Sequence, residues 1–301
     1  MVAKLRAGVV GAGVVGGYHA AKYAERPDTV LMSVLDTHPE RARTLAERFG
    51  ARSCSDLSAM LEGVDVVSVC APAKVHAAVA LACLRAGKSV YVEKPIATSM
   101  ADADAIVAEG SRRGLVVACG FLERAMFGAM RLFDAPEAPL RLEAVRRGPP
   151  SPRSLDVSVV IDLMIHDLDL ALALARTPVL AVEAEGACEV NDLLDVVETE
   201  VVFDDGFTAA LVASRVAEMR ERTMRLVYPS GEIVIDFLAH TFRNTTSFTL
   251  DAAFEQTDRL GTSIGAFLAA VRGEASAPLA DGVDGARALD LALAVELAVQ
   301  G

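Results

Sequence analysis

The sequence predicts an α/β protein: a parallel sheet with crossover helices over residues 1–120, followed by an α+β domain over 121–301. Three observations carry this expectation. Up to Cys119, short β-branched runs alternate with helical patterns, the order that a parallel sheet requires. After Gly120 the texture changes, and Pro136, Pro139, Pro149, Pro150 and Pro152 break up the chain. From Val179 onward, long strand-like runs alternate with hairpin signals before two closing helices. At 301 residues with 52% hydrophobic side chains, the chain is long enough to build both cores.

The elements follow in order. Leu5 to Val10 is an apolar run that reads as a strand, and Val14 to Glu25 as the helix after it. Val30 to Leu35 is the next strand, followed by a helix from about Pro39, with proline at a favoured first-turn position, to Phe49. Val64 to Cys70 has the near-continuous apolar character of a strand buried on both faces. Val75 to Ala86 is a helix closed by Gly87, and Ser89 to Glu93 is a strand. Met100 to Arg113 is a helix ending at Gly114, and Leu115 to Cys119 is a last strand. In the second half, a helix containing Asp162 runs to about Ala175. Val179 to Phe237 is β-rich, with turn sequences at Asp204-Asp205-Gly206 and Pro229-Ser230-Gly231. Helices span about Asp258 to Val271 and Gly285 to Val299.

Composition narrows the function classes. No apolar run reaches the ~18 residues needed to span a bilayer, and the N-terminus carries no signal-peptide pattern, so no membrane insertion is expected. A net charge of -12 argues against nucleic acid as a partner. It leaves room for a small anionic ligand, which needs only local cations or a helix N-terminus. The five cysteines are odd in number and lack C-x-x-C spacing, which reads as thiols in a reducing, cytoplasmic compartment.

Gly11-Ala12-Gly13-Val14-Val15-Gly16 fits G-x-G-x-x-G between a strand and a helix, the context that makes the motif a dinucleotide site. Asp36 ends the second strand twenty residues beyond Gly16, where a carboxylate takes the adenosine ribose hydroxyls and repels a 2′-phosphate. NAD is therefore expected over NADP, with Arg41 and Arg43 keeping NADP open. The alternative for these residues is a glycine-rich turn beside a surface aspartate.

Glu93-Lys94-Pro95 follows the fourth long strand at the carboxyl edge, where open α/β sheets bind ligands. Lys94 there can polarise a reacting hydroxyl, and Glu93 can pair with or orient the ammonium. Ala71-Pro72 and His76 occupy the turn after the preceding strand, and His76 either lines the cofactor cleft or packs in the first turn of its helix. Asp162 and His166 stand four apart on a helix, so acid and base share one face. Proton-transfer chemistry, a buried ion pair and a metal site all suit that spacing. For a metal, only Asp167 or Asp169 is near enough in sequence to be a third ligand, and none is expected.

Taken together, the glycine turn with His19, Asp36, Ala-Pro…His76, Glu93-Lys94-Pro95 and Asp162-x-x-x-His166 resemble the glucose–fructose oxidoreductase / inositol dehydrogenase / MocA family along the whole chain. The resemblance implies an N-terminal Rossmann domain and a C-terminal domain built on an open-faced, mixed, mainly antiparallel sheet. It also implies oxidation of a sugar or cyclitol hydroxyl by a nicotinamide held between the domains. Lys94 and His166 would match the family's proton-handling pair, with either as proton acceptor, and Asp162 its substrate-orienting carboxylate. A narrower likeness, carried by Gly120-Phe121-Leu122-Glu123-Arg124, Arg153-Ser-Leu-Asp156-Val157 and Asp162 to Leu170, is to the branch containing UDP-N-acetylglucosamine 3-dehydrogenases, which serve 2,3-diamino-sugar lipid A synthesis. The chain departs from the family in having Ser158-Val-Val-Ile161 before Asp162 in place of a glycine run, and from that branch in Ala125-Met126.

A UDP-sugar needs cations for its diphosphate, and Arg124, Arg146, Arg147 and Arg153 lie at the start of the second domain, Arg124 and Arg153 being preferred. A free sugar or cyclitol is the alternative substrate. A regulator that binds NAD without turnover is the alternative class, against which the presence of both Lys94 and His166 counts. The free face of the second sheet should be apolar, implying a homodimer or homotetramer.

Overall fold

The computed structural model describes residues 3–151, 157–190, 192–251, 258–274 and 278–300. Contacts divide the chain into two compact units, Met1–Ala125 with Asp258–Ala286, and Met126–Thr257 with Arg287–Gly301. The first is built on β1 (Leu5–Val10), α1 (Val14–Glu25), β2 (Thr29–Leu35), α2 (Pro39–Arg48), β3 (Arg52–Cys54), α3 (Leu57–Leu61), β4 (Val66–Val69), α4 (His76–Arg85), β5 (Ser89–Val92), α5 (Met100–Arg113) and β6 (Val117–Cys119). All its strand pairs are parallel, in the order β3-β2-β1-β4-β5-β6. This is the doubly wound order, with its reversal point between β1 and β4. The valine-rich β4 and the whole of β5 are buried, as central strands covered on both faces must be. Ser99 caps α5, its Oγ accepting the Asp102 N–H at 3.2 Å, and Gly114 ends it at φ 64°.

Two expectations change here. β3 and α3 are three and five residues long, too short to leave a periodic signal. The helix expected near Asp258, α8 (Arg259–Val271), belongs to the first unit and not to the second domain of 121–301. Its apolar stripe explains why: Ile264, Phe267 and Leu268 share one buried cluster with Tyr23, Tyr91 and Ala118. The Tyr91 hydroxyl and Ser263 Oγ are hydrogen-bonded at 2.8 Å.

The second unit holds β7 (Arg141–Arg147), α7 (Ile165–Leu174), β8 (Val179–Ala187), β9 (Val196–Phe203), β10 (Thr208–Ser214), β11 (Glu221–Tyr228), β12 (Gly231–Asp236) and β13 (Thr241–Asn244). The remaining helices are α6 (Glu123–Ala129) and α9 (Gly282–Gln300). The sheet order is β13-β12-β11-β7-β10-β9-β8; β7 and β10 are parallel and every other pair antiparallel. Both expected turns close hairpins, β9 to β10 and β11 to β12.

Alternation sorts this sheet into two faces. Leu142, Ala144, Leu211, Val201, Leu226 and Ile235 are buried. The opposite face is not apolar, as the sequence led us to expect. Arg141 pairs with Glu143 and Glu200 there, and Arg225 with Glu143 and Glu232. Valines stand between these charges, so the face is mixed. Among the described residues no helix is long and apolar enough to cross a membrane.

Candidate active site

The glycine turn uses its three glycines differently. Gly11 adopts φ 99°, and a side chain there would meet the Cys70 carbonyl at 2.6 Å. A Cβ on Gly16 would overlap the Gly11 carbonyl oxygen, so only hydrogen permits helix and turn to close. Gly13 has nothing within 4 Å of where its Cβ would stand, which leaves the approach to the turn open. Gly13 also begins α1 without any side-chain cap, so the first-turn amides around Val14 and Val15 offer donors and a partial positive charge outward. Val14 and Val15 are exposed beside it. This is the cradle that a pyrophosphate requires.

Asp36 stands directly after β2 against that turn. One carboxylate oxygen accepts the Ala12 N–H at 2.7 Å, and the other accepts the His38 N–H at 2.7 Å. Burial alone would raise its pKa, but these two N–H donors hold it below the usual carboxylate range. It is thus ionised and tied to the turn, where ribose hydroxyls would meet it.

After β4, the Ala71-Pro72 turn is held by His76, which is buried rather than lining an opening. Its Nδ1 lies 2.7 Å from the Pro95 carbonyl oxygen and its Nε2 2.7 Å from that of Ala71. The imidazole therefore spans the turns after β4 and β5. After β5, Glu93 and Lys94 are half-buried, and Pro95 is buried. His19 Nε2 lies 2.9 Å from Glu93 Oε1. All of these groups lie on the carboxyl edge of the parallel sheet around its reversal point.

Within the second unit, Val160–Met164 form a π-helical turn leading into α7, so the expected α-helix is wider where Asp162 sits. Such turns occur frequently at functional sites. Ser158 Oγ accepts the Ile161 N–H at 3.2 Å and bonds Glu296 on α9, so a polar cap stands where the family has glycines. From Ser158 to Leu172 every residue is buried except Asp162, Leu163 and His166. The acid and the base are thus presented together on the one open stripe of an otherwise buried segment. Asp167, a conceivable third metal ligand, is buried in a bidentate pair with Arg146 at 2.9 and 2.8 Å.

The arginines are placed differently from expectation. Arg124 is buried and donates to Asp284 Oδ2 at 2.8 Å, and Arg146 is committed to Asp167. Arg147 pairs with Glu221 at the surface, and Arg153 lies outside the described residues. The sequence reading did not foresee the Arg124–Asp284 and Arg146–Asp167 pairs because each partner comes from a distant element. The role of His19 against Glu93 was missed for the same reason.

Residues 5–121 match the family described as "Oxidoreductase family, NAD-binding Rossmann fold". Over 98% of its length the chain is 36% identical to a UDP-N-acetylglucosamine 3-dehydrogenase of Acidithiobacillus ferrooxidans, covering 97% of that protein. A solved structure of that enzyme aligns with a TM-score of 0.91 over 100% of this chain and 99% of its own. A myo-inositol 2-dehydrogenase of Thermotoga maritima is 29% identical over 62% of this chain and 60% of its own length. Matched end to end by such a relative, and carrying the glycine turn, Asp36 and Glu93-Lys94 on one sheet edge, this chain belongs to the NAD-binding oxidoreductase family of glucose–fructose oxidoreductase, inositol dehydrogenase and MocA proteins.

Proposed function

We propose that this protein is an NAD-dependent dehydrogenase that oxidises the 3-hydroxyl of UDP-N-acetylglucosamine to the 3-keto sugar. The observation that carries the reading is the full-length relative of that activity, 36% identical, in a chain that keeps Lys94, Asp162 and His166. NAD, when bound at the glycine turn, supplies the hydride acceptor. His166 takes the proton of the reacting hydroxyl as general base, and Lys94 stabilises the developing alkoxide; their roles are exchangeable. Asp162 orients a neighbouring hydroxyl or the imidazole. The ionised Asp36 supports NAD over NADP, because it would repel a 2′-phosphate. The product would feed an amination, as in 2,3-diamino-sugar lipid A synthesis. The five cysteines, three of them buried, form no disulfide among the described residues, which supports a reducing and hence cytoplasmic setting. Pairing between copies, as a homodimer or homotetramer, remains part of this proposal, although the open sheet face is mixed and not apolar as expected.

The test is to incubate the protein with NAD and UDP-N-acetylglucosamine and follow the absorbance of the reduced cofactor. A coupled aminotransferase should draw off the ketone, since 3-keto formation is uphill. Turnover with UDP as a competitive inhibitor is the expected result. A second reading, a free sugar or cyclitol as substrate, is favoured by one observation: Arg124 and Arg146 are already matched by Asp284 and Asp167. Turnover of inositol or a simple sugar, untouched by UDP, would establish that reading instead. A flat trace across all of these with tight NADH binding would leave a cofactor-binding regulator.

A further inference from the structure

Behind the Glu93-Lys94 turn lies a row of polar side chains that the proposed chemistry does not use. His19 on α1 is fully buried, its ring edge-on to Tyr91 with centroids 5.1 Å apart. Its Nε2 lies 2.9 Å from Glu93 Oε1, and its Nδ1 lies 2.9 Å from Ser68 Oγ on β4. Ser68 Oγ is in turn 2.9 Å from the hydroxyl of the buried Tyr23.

Counting protons gives this row a direction. A carboxylate only accepts, so Nε2 carries the hydrogen that Glu93 receives. In a neutral ring Nδ1 then accepts, the Ser68 hydroxyl donates to it, and the Tyr23 hydroxyl donates to Ser68. Each of the three bonds holds one proton. With a protonated ring Nδ1 would donate as well, so Ser68 Oγ would accept from both His19 and Tyr23, and its own hydroxyl proton would need a further acceptor.

Gly120 gives Glu93 its room: a Cβ there would stand 2.8 Å from Glu93 Oε2, so the carboxylate would have to shift out of the slot it now fills. The titratable groups facing the His19–Glu93 pair are Tyr23, Tyr91 and Cys70, with Lys94 next in the chain. Burial pushes both tyrosines and the Cys70 thiol up, so all three are neutral at neutral pH.

We propose that His19 is a positioning residue for the Glu93-Lys94 turn: its Nε2–H, fixed in that tautomer by Ser68 and Tyr23, holds the Glu93 carboxylate in its slot. The kinetic part of this rests on the function proposed for Lys94; the tautomer and the slot do not.

The test uses the full chain with His19→Phe, which keeps ring volume and the Tyr91 contact, and His19→Gln, which restores one donor. We expect His19→Phe to lower kcat about tenfold or more and to weaken NADH binding about tenfold, as loss of a hydrogen bond to a charged group does. His19→Gln should recover most of the rate and of the NADH affinity. Nitrogen NMR of the wild type should show the neutral His19 ring carrying its proton on Nε2 and not on Nδ1. In Ser68→Ala, that preference should weaken, which keeps the idea testable if His19→Phe does not fold. Wild-type kinetics and NADH affinity in folded His19→Phe, or a neutral ring with its proton on Nδ1, would overturn the proposal. Should no sugar be turned over, the proposed function fails, while NADH affinity and the tautomer still decide this one.

Discussion

Asp162 and His166 owe their meaning to their neighbours. Both are half-buried in a segment whose other residues, Leu163 apart, are hidden, so the fold keeps them accessible while enclosing Asp167 and Asp169. A pair whose purpose was mutual neutralisation would need no open stripe. If Lys94 and His166 handle the proton, Lys94→Ala and His166→Ala should each lower kcat by ~10²–10⁴. NADH affinity should change little in His166→Ala; turnover near wild type in both variants would remove the assignment. Asp36 can be tested separately. Replacing it with Ala removes the charged ribose ligand proposed for NAD and the acceptor for two main-chain N–H groups, so KM for NAD should rise by about tenfold to a hundredfold. The preference for NAD over NADP should narrow at the same time, and an unchanged ratio would show that Asp36 does not select the cofactor.

Elements differ in how far their sequence announces them. The glycine turn was legible because each glycine answers a local demand, and Gly16 can be checked directly. Gly16→Ala places a methyl group against the Gly11 carbonyl, a backbone atom that cannot swing aside. The variant should lose at least about tenfold in NADH affinity, a loss of ~1.4 kcal/mol by fluorescence titration. The parallel sheet and both hairpins were equally legible, since strand period and turn residues are short-range signals. The π-helical turn at Val160–Met164 was not, because its apolar pattern matches an α-helix and its cap partner Glu296 lies on α9. The same holds for α8, whose amphipathic stripe shows that it packs but not against which unit. Arg146 and Asp167 illustrate the limit most clearly. Each looked available to a ligand, yet they pin β7 to α7 with both side chains 4% exposed. Asp167→Ala would take a bidentate partner from a buried guanidinium and should cost about 3–5 kcal/mol. A shift of the urea midpoint checks this, and a near-zero change would mean that Arg146 finds another partner.

Across the whole molecule, the balance of charge sets the pH range of stability. A net charge of -12 places the folded chain under its own repulsion, which protonation relieves as pH falls. The carboxylates with native partners work in the opposite direction. Asp65 is held below its usual range by the Arg6 guanidinium, and Glu109 is drawn down to about 2 by Arg112 and Arg113. These sites are solvent-screened and contribute little. Asp195 is different, being wholly buried. Burial would raise its pKa, but the Val190 N–H, the Arg215 guanidinium at 2.5 Å and the Glu189 N–H bring it to about 2. Arg215 also donates to the Val157 carbonyl at 2.7 Å, so this pair anchors the chain just ahead of the Asp162 turn. A carboxylate whose folded pKa is depressed stabilises the fold fully above its unfolded pKa, near ~4, and loses that contribution as pH falls through the folded value. The melting temperature should therefore stay nearly level from about pH 5 to about pH 8 and fall steeply between about pH 4 and about pH 2. Asp195→Asn cannot ionise, so it should melt lower than wild type at neutral pH and show a shallower acid fall. If its acid fall is as steep as that of the wild type, protonation of the other carboxylates with native partners, rather than the Asp195–Arg215 anchor, governs how this fold fails in acid.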